Sequence, residues 1–204
     1  QAILRAQLNN GIDPQSGGSL ITWKKHLQSI FSAFIANKIE YLQIRYIDDN
    51  GNEIVRVQMN EHNKVEAVSD DLLQNKANEL YFIQTLKMPH DQVYYSNVSL
   101  NREHGVVQVP HQPVLRLAAP VLSENNQVQG IIVINLATEK LFADIKLINQ
   151  GTSQFMVDER GNYILHKQTE KTFGEDKGLN YNFQKDYPQL ASLSNENDQF
   201  MRRF

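Results

Sequence analysis

The sequence has no cysteine. That excludes a disulfide framework, a thiolate zinc site and a cysteine nucleophile. No stretch approaches the ~20 consecutive apolar residues of a membrane helix, and no signal peptide is visible. There is no basic excess either. Twenty Lys and Arg face 23 Asp and Glu, a net charge of -3, so the positive field of a general nucleic-acid binder is missing and no nucleic-acid partner is expected. The chain lacks G-x-S-x-G, H-E-x-x-H, a phosphate-cradling glycine loop and a close carboxylate pair, which argues against an enzyme and against a cofactor. His90, His104 and His111 share a polar segment with Asp91 and Glu103. Their spacing fits no metal-ligand motif, so no metal site is expected there.

What is present is enough for a core: 204 residues, 41% of them hydrophobic, suit one large domain or two small ones. The organising stretch is YLQIRYIDDNGNEIVRVQM, residues 41–59. Asn50-Gly51 between β-forming runs is a strong hairpin signal, because both residues accept the positive φ of a tight turn. Side chains alternate across a strand, so Tyr41, Gln43 and Arg45 are expected on one face and Leu42, Ile44 and Tyr46 on the other. A strand face carrying arginine and glutamine pairs internal charges or lines a polar pocket.

Before the hairpin, residues 1–9 read as the tail of a helix, stopped at Asn10-Gly11 and followed by a loop, DPQSGGS. Ser19 is placed to N-cap a second helix, in which Leu20, Trp23, Leu27, Ile30, Phe31, Phe34 and Ile35 follow three-and-four spacing. After the hairpin a helix is expected over 70–87, closed by Met88-Pro89, then a strand at Val93–Ser96 and a polar loop broken by Gly105, Pro110 and Pro113. The segments VLRLAAPV (114–121) and GIIVINL (130–136) read as strands, the second almost continuously apolar like a buried central strand. A helix is expected over 138–148. Hairpin-linked strands make the sheet antiparallel and the class α+β.

After Gly151 the pattern restarts. QFMVDERGNYILHK (154–167) is a second hairpin, and a helix is expected over about 182–194. Asp158-Glu159-Arg160-Gly161-Asn162 repeats Asp48-Asp49-Asn50-Gly51-Asn52, which points to a second, smaller and incomplete copy of the first lobe. The expected division is 1–38, N-terminal helices; 39–148, first lobe; 149–204, second lobe. The terminal residues, Gln1 and Phe204, suggest a piece of a longer protein.

The ordered segments YLQIRYIDDNGNEIVRV, KANELYF, VYYSNVSLNREHG, PHQPVLRLAAPV and GIIVINL resemble the double Cache, or tandem PAS-like, extracytoplasmic sensor domain of bacterial histidine kinases, diguanylate cyclases and chemoreceptors. The resemblance covers roughly residues 1–200. It implies a long N-terminal helix on a five-stranded PAS-like antiparallel sheet, a membrane-distal lobe that binds a small-molecule ligand, and a smaller, truncated membrane-proximal lobe. It implies a periplasmic domain of an inner-membrane protein, membrane-anchored in the full-length chain. One branch of that family binds amino acids through an arginine before a Trp-Tyr pair and an aspartate ending the last strand. Here Glu79 and Asn135 stand in those places, so amino-acid binding does not carry over.

Arg45 and Arg116 lie within apolar strands. Each is either a fork of donors for an anionic group of a ligand or one half of an internal pair with Asp48, Glu53 or Glu79. Arg56 is expected on the exposed side of its hairpin. Tyr81, Tyr95, Ser96 and Asn135 complete the candidate ligand-binding set, each with core packing as its plain alternative, and only one of Tyr94 and Tyr95 can face inward. Loop 97–112 and the helix 19–38 are the expected moving parts. A homodimer through the N-terminal helices is expected because residues 1–9 have no obvious sheet to cover. The alternative function is a protein-interaction module of the same fold.

Overall fold

The computed structural model describes residues 1–139, 142 and 155–189. The chain divides into two compact units, Gln1–Ser96 with Val114–Thr138, and Asn97–Pro113 with Glu139–Phe204. The segment 97–113, assigned above to the first lobe by its place in the sequence, therefore groups with the second unit, and the N-terminal helices belong to the first.

The first unit opens with α1 (Ala2–Leu8) and α2 (Leu20–Ala36). Ser19 caps α2, its hydroxyl accepting the Thr22 N–H at 3.2 Å. The loop between the helices is pinned by Asp13. Its carboxylate is fully buried, accepts Arg5 Nε at 2.7 Å and Arg5 Nη2 at 3.2 Å, and also receives the Ser16 hydroxyl. These bonds hold the Asp13 carboxyl well below the usual carboxylate range.

The sheet of this unit is built from β1 (Tyr41–Asp48), β2 (Glu53–Met59), β3 (Val65–Ala67), β4 (Tyr94–Tyr95), β8 (Pro113–Leu122) and β9 (Val128–Ala137). They lie antiparallel in the order β3-β2-β1-β9-β8-β4. The class is α+β, as expected, and the short β3 extends the five strands anticipated. β1 is central, flanked by β2 and β9. One face packs under the helices: Ile44, Tyr46, Ile54, Val55 and Val57 bury against Phe31 and Ile35 of α2 and Ile3 of α1. Ile3 and the fully buried Ala6 show that residues 1–9 do cover apolar surface within their own unit. The opposite face carries Ile47, Val133, Ile131 and Ala118 under Tyr81 and Phe82 at one end, and polar side chains at the other.

Two irregularities alter the expected faces. A register shift between Tyr41 and Gln43 turns Tyr41 to the helix side, where it packs on the core instead of joining Gln43 and Arg45. A second shift pairs Tyr46 with Val55 but Ile47 with Glu53, leaving Ile54 as the extra residue of a bulge. Glu53 thereby joins the face of Arg56, and Arg56 is 5% exposed, not on the solvent side.

The helix expected over 70–87 is a 3-10 turn, Asp70–Leu72, and a short helix α3, Leu80–Thr85. Between them the backbone is extended, because it bonds to the hairpin: Glu53 N–H to Gln74 C=O at 2.9 Å and Lys76 N–H to Gly51 C=O at 2.6 Å. Those pairings displace a helix that propensity alone favours.

The second unit holds the short strand β5 (Ser99–Leu100), β6 (Arg102–Glu103) paired with β7 (Val106–Val107), and β10 (Met156–Val157) paired with β11 (Tyr163–Leu165). Leu100, Phe142, Leu165 and Phe173 form its core cluster. α4 (Phe183–Asp186) is one turn long, with Asn182 accepting the Gln184 N–H at 3.0 Å and Pro188 following. The expected continuation to 194 and the helix at 138–148 fall largely outside the described residues. Among the described residues, no helix is long and apolar enough to cross a membrane.

Candidate functional site

The polar half of the sheet face in the first unit gathers Gln43 and Arg45 from β1, Glu53, Arg56 and Gln58 from β2, and Asn135 from β9. Strand register brings them side by side: Gln43 pairs with Gln58 and Asn135, Arg45 with Arg56, and Asn135 with Arg116 of β8. Paired residues of neighbouring strands point to the same side. Tyr81 of α3 covers them.

Arg45 is 3% exposed and its guanidinium is the hub. Nη2 donates to Asn135 Oδ1 at 2.9 Å, and Nη1 donates to Tyr81 Oη at 3.2 Å and lies 3.5 Å from Glu53 Oε1. Glu53 Oε2 takes Arg56 Nη1 at 3.3 Å and the Gln74 N–H at 3.0 Å. Asn135 passes the chain on, donating to Gln43 Oε1 at 3.2 Å, and Gln43 donates to Gln58 Oε1 at 3.3 Å. Two guanidinium groups lie against the Tyr81 ring, with Arg45 Cζ 5.4 Å and Arg116 Cζ 5.9 Å from its centre. Burial pushes the Tyr81 hydroxyl up from its ordinary value, so it stays protonated at neutral pH. Lys76 is also buried, its ammonium donating to Gln74 Oε1 at 2.9 Å.

The structure thus brings Arg45, Tyr81, Arg116 and Asn135 together and resolves the internal partner of Arg45 as Glu53. It separates the other two residues of the expected set. Tyr95 is 66% exposed, while Tyr94 packs on the cluster of Ile47 and Tyr81, so the strand turns Tyr94 inward and Tyr95 out. Ser96 is occupied structurally: its hydroxyl accepts the Arg116 N–H at 2.9 Å and its own N–H bonds the Arg116 carbonyl at 3.0 Å. The side chains missed from sequence are Gln43, Glu53 as a site member, Arg56 and Lys76. Gln43 is legible from the alternation with Arg45. Glu53 is not, because the bulge that turns it has no signal beyond the adjacent apolar pair Ile54-Val55.

His90, His104 and His111 are all exposed. Among the described residues no three metal-ligating side chains come together.

A family model described as the bacterial histidine kinase sensor domain matches residues 21–199. No curated protein sequence matches the chain. Among solved structures, the extracellular domain of the candidate histidine kinase vpHK1S-Z8 is 25% identical with a TM-score of 0.66, over 83% of this chain and 61% of that one. A domain of a candidate sensory box/GGDEF family protein from Vibrio parahaemolyticus is 22% identical with a TM-score of 0.70, over 95% and 70%. The ligand-binding domain of the Campylobacter jejuni chemoreceptor Tlp3, in complex with L-valine, is 14% identical with a TM-score of 0.55, over 83% and 61%. The chain therefore spans 61% of the length of the first of these domains.

Proposed function

Because the chain belongs to the bacterial histidine kinase sensor-domain family, whose members sense and do not catalyse, we propose that it is the periplasmic input domain of a membrane-anchored signalling protein and binds a small solute in its first unit. The observation that carries the proposal is the convergence of Arg45, Tyr81 and Asn135, side chains 36 and 90 residues apart in sequence, on one buried guanidinium. A plain core does not need this arrangement: burying a guanidinium is costly, and an apolar replacement serves stability as well or better. The Tlp3 domain was solved with an amino acid bound, which supports a small-molecule ligand for this fold.

Binding shifts signalling only by its differential affinity for two conformations. The moving element in this proposal is α2, which packs on the back of β1, the strand that carries Arg45. A homodimer through the N-terminal helices is part of the same proposal. Ile30 and Phe34, one turn apart on α2, are 42% and 57% exposed and offer a second copy an apolar strip.

The test is a thermal-shift screen of the chain against carboxylates, amines and polyols, since a binder of the folded state raises the melting temperature with the logarithm of concentration over affinity. The expected result is a reproducible rise that Arg45→Ala and Arg116→Ala each abolish. A second reading, a protein-interaction module, is favoured by the internal bonding of Arg45 to Glu53, Asn135 and Tyr81. It takes precedence if no solute of any class raises the melting temperature of the folded chain.

A further inference from the structure

Of the six histidines, His26, His62, His90, His104 and His111 are exposed, and His166 alone is half-buried. It follows β11, and its ring meets the Tyr163 ring edge-on at 4.8 Å, with the Phe155 ring 6.1 Å away. Its Nδ1 accepts the Gln168 N–H at 3.0 Å. A ring nitrogen that accepts carries no hydrogen, so this geometry holds the neutral ring with its proton on Nε2. The bond caps the turn after β11. Within that turn the Lys171 N–H bonds the Gln168 carbonyl at 3.1 Å, and the His166 N–H bonds Thr172 Oγ1 at 3.1 Å. An imidazolium offers donors at both nitrogens. A proton on Nδ1 would face the Gln168 N–H, donor against donor, and the cap is lost.

The charged and titratable groups around the ring come from three elements. Tyr163 lies on β11. Lys171 closes the turn, its ammonium 5.6 Å from the centre of the Tyr163 ring. Asp186 lies at the end of α4, with Tyr187 next to it, stacked on Phe155. Lys171 opposes a second positive charge, and Asp186 favours one. The Asp186 carboxyl is held down chiefly by Lys171, and His166 adds to this, so by linkage the carboxylate supports a proton on the ring. Its bonds from the Lys171 ammonium and the Tyr163 hydroxyl both fall on Oδ2, and among the described residues Oδ1 takes no donor.

We propose that His166 makes the second unit acid-responsive: on taking a proton from solvent at Nδ1 it releases the Gln168 N–H, and the ring turns toward Asp186 Oδ1. Histidine is the side chain that changes charge between about pH 5 and 8. The capped turn accepts the neutral ring only, so it is present at the alkaline end of that interval and lost as pH falls through it. The inference goes beyond the solute reading. The first unit reports a solute, and the second reports the acidity of the compartment that the solute arrives from.

The experiment is an NMR titration of the chain from pH 8 to pH 5, with no solute added. It follows the histidine ring nitrogens and the exchange protection of the Gln168 and Lys171 amides, corrected for the intrinsic rate at each pH. The five exposed histidines serve as internal references. Protection at Gln168 is expected to fall at least ten-fold, on the same midpoint as the His166 ring. His166→Asn supplies a side-chain oxygen that can accept the N–H two residues on and does not titrate. It is expected to keep Gln168 protected across the whole interval. Asp186→Asn removes the carboxylate that supports the proton and is expected to move the His166 midpoint to lower pH, a change that a merely structural cap would not show. Protection at Gln168 that is independent of pH, an equal fall in His166→Asn, or a midpoint that Asp186→Asn leaves in place or raises overturns the inference. Any of these results leaves the solute reading standing, and a failed solute screen leaves the acid response standing.

Discussion

The two hairpins, one in each unit, share a frame and differ in what they hold. In the first, Asp48 Oδ1 accepts the N–H groups of Asn50 and Asn52 at 3.0 and 2.8 Å and Oδ2 accepts the Asn52 side chain at 3.1 Å. In the second, Asp158 makes the same three bonds to Arg160 and Asn162 at 2.9, 2.8 and 3.1 Å. The glycines agree, with φ of 85° at Gly51 and 83° at Gly161. Each turn is then clamped by a later asparagine. Asn75 donates to the Asn50 carbonyl at 3.1 Å and its oxygen accepts the Ala77 N–H; Asn182 donates to the Arg160 carbonyl at 2.8 Å and its oxygen accepts the Gln184 N–H. The internal repeat is thus real at the level of single hydrogen bonds.

The side chains mounted on that frame are opposite in kind. Counting from the turn aspartates, Arg45, Glu53 and Arg56 correspond to Phe155, Tyr163 and His166. Where the first unit has a hub of buried charge, the second has an aromatic cluster. Phe155 stacks on Tyr187 at 5.7 Å and meets Tyr163 edge-on at 5.8 Å, and His166 meets Tyr163 at 4.8 Å. The turn is a scaffold requirement, satisfied by the same few polar atoms in both copies. The strand faces beyond it are free to specialise, and among the described residues the first carries buried guanidinium and amide groups where the second carries rings.

The comparison can be broken most sharply at its centre. Glu53→Gln removes the carboxylate between Arg45 and Arg56. Leaving buried cations without it is expected to cost about 3–5 kcal/mol in urea unfolding. The corresponding change in the second unit, Tyr163→Phe, loses one hydrogen bond to Asp186, which is 2.9 Å away, and is expected to cost about 1 kcal/mol. Equal costs would show that the charge hub and the aromatic cluster are energetically alike.

A smaller contrast lies in the turns. At Gly51 a Cβ would sit 2.5 Å from the Ala77 backbone nitrogen, whereas at Gly161 it would meet only the end of the Gln184 side chain. Both positions have positive φ, which costs a non-glycine residue about 1 kcal/mol or more. Gly51→Ala is therefore expected to lose more than 2 kcal/mol, roughly, and Gly161→Ala about half that, because a side chain can move and backbone cannot. Melting temperatures of the two variants in parallel check the order.

The smallest effect is acidic. In the second unit Asp186 is held below its usual range by the Lys171 ammonium at 2.6 Å and then by the Tyr163 hydroxyl. A lowered folded-state value gives stability that is fully present above the ordinary aspartate range, near pH 4, and is lost as pH falls through the folded value. Amide exchange over 155–189 in wild type and Asp186→Asn should therefore converge as the pH is taken from about 5 toward 3. A gap unchanged over that interval would remove the Lys171 pairing as a source of stability.

Much of this was legible in the sequence, for identifiable reasons. The hairpins, the Ser19 cap, the antiparallel order and the face holding Gln43 and Arg45 follow from alternation, turn chemistry and capping, all local. What escaped was set by contacts across the chain. Residues 73–78 give up helix because Gln74 and Lys76 bond to the first hairpin. Arg56 is buried because one bulge rotates Glu53 beneath it. Tyr95 points outward because strand register, not composition, chooses between it and Tyr94. The polar cluster was legible in Arg45, Arg116, Tyr81 and Asn135, but not in Arg56 or in the carboxylate that holds Arg45.

The two asparagine clamps also bear on how such a chain can diversify. Asn75 grips the turn from 23 residues beyond Asn52, and Asn182 does so from 20 residues beyond Asn162. Each excursion is closed at both ends, so its length and content are cheap to change, since the entropy of closing a loop grows only with the logarithm of its length. The segment between clamp and turn behaves as an interchangeable cassette. A lineage can vary the part of the site that the insert carries, Glu53 and Arg56 in the first lobe, while the turn and its clamp stay untouched and Arg45, Tyr81, Arg116 and Asn135 keep their places outside it.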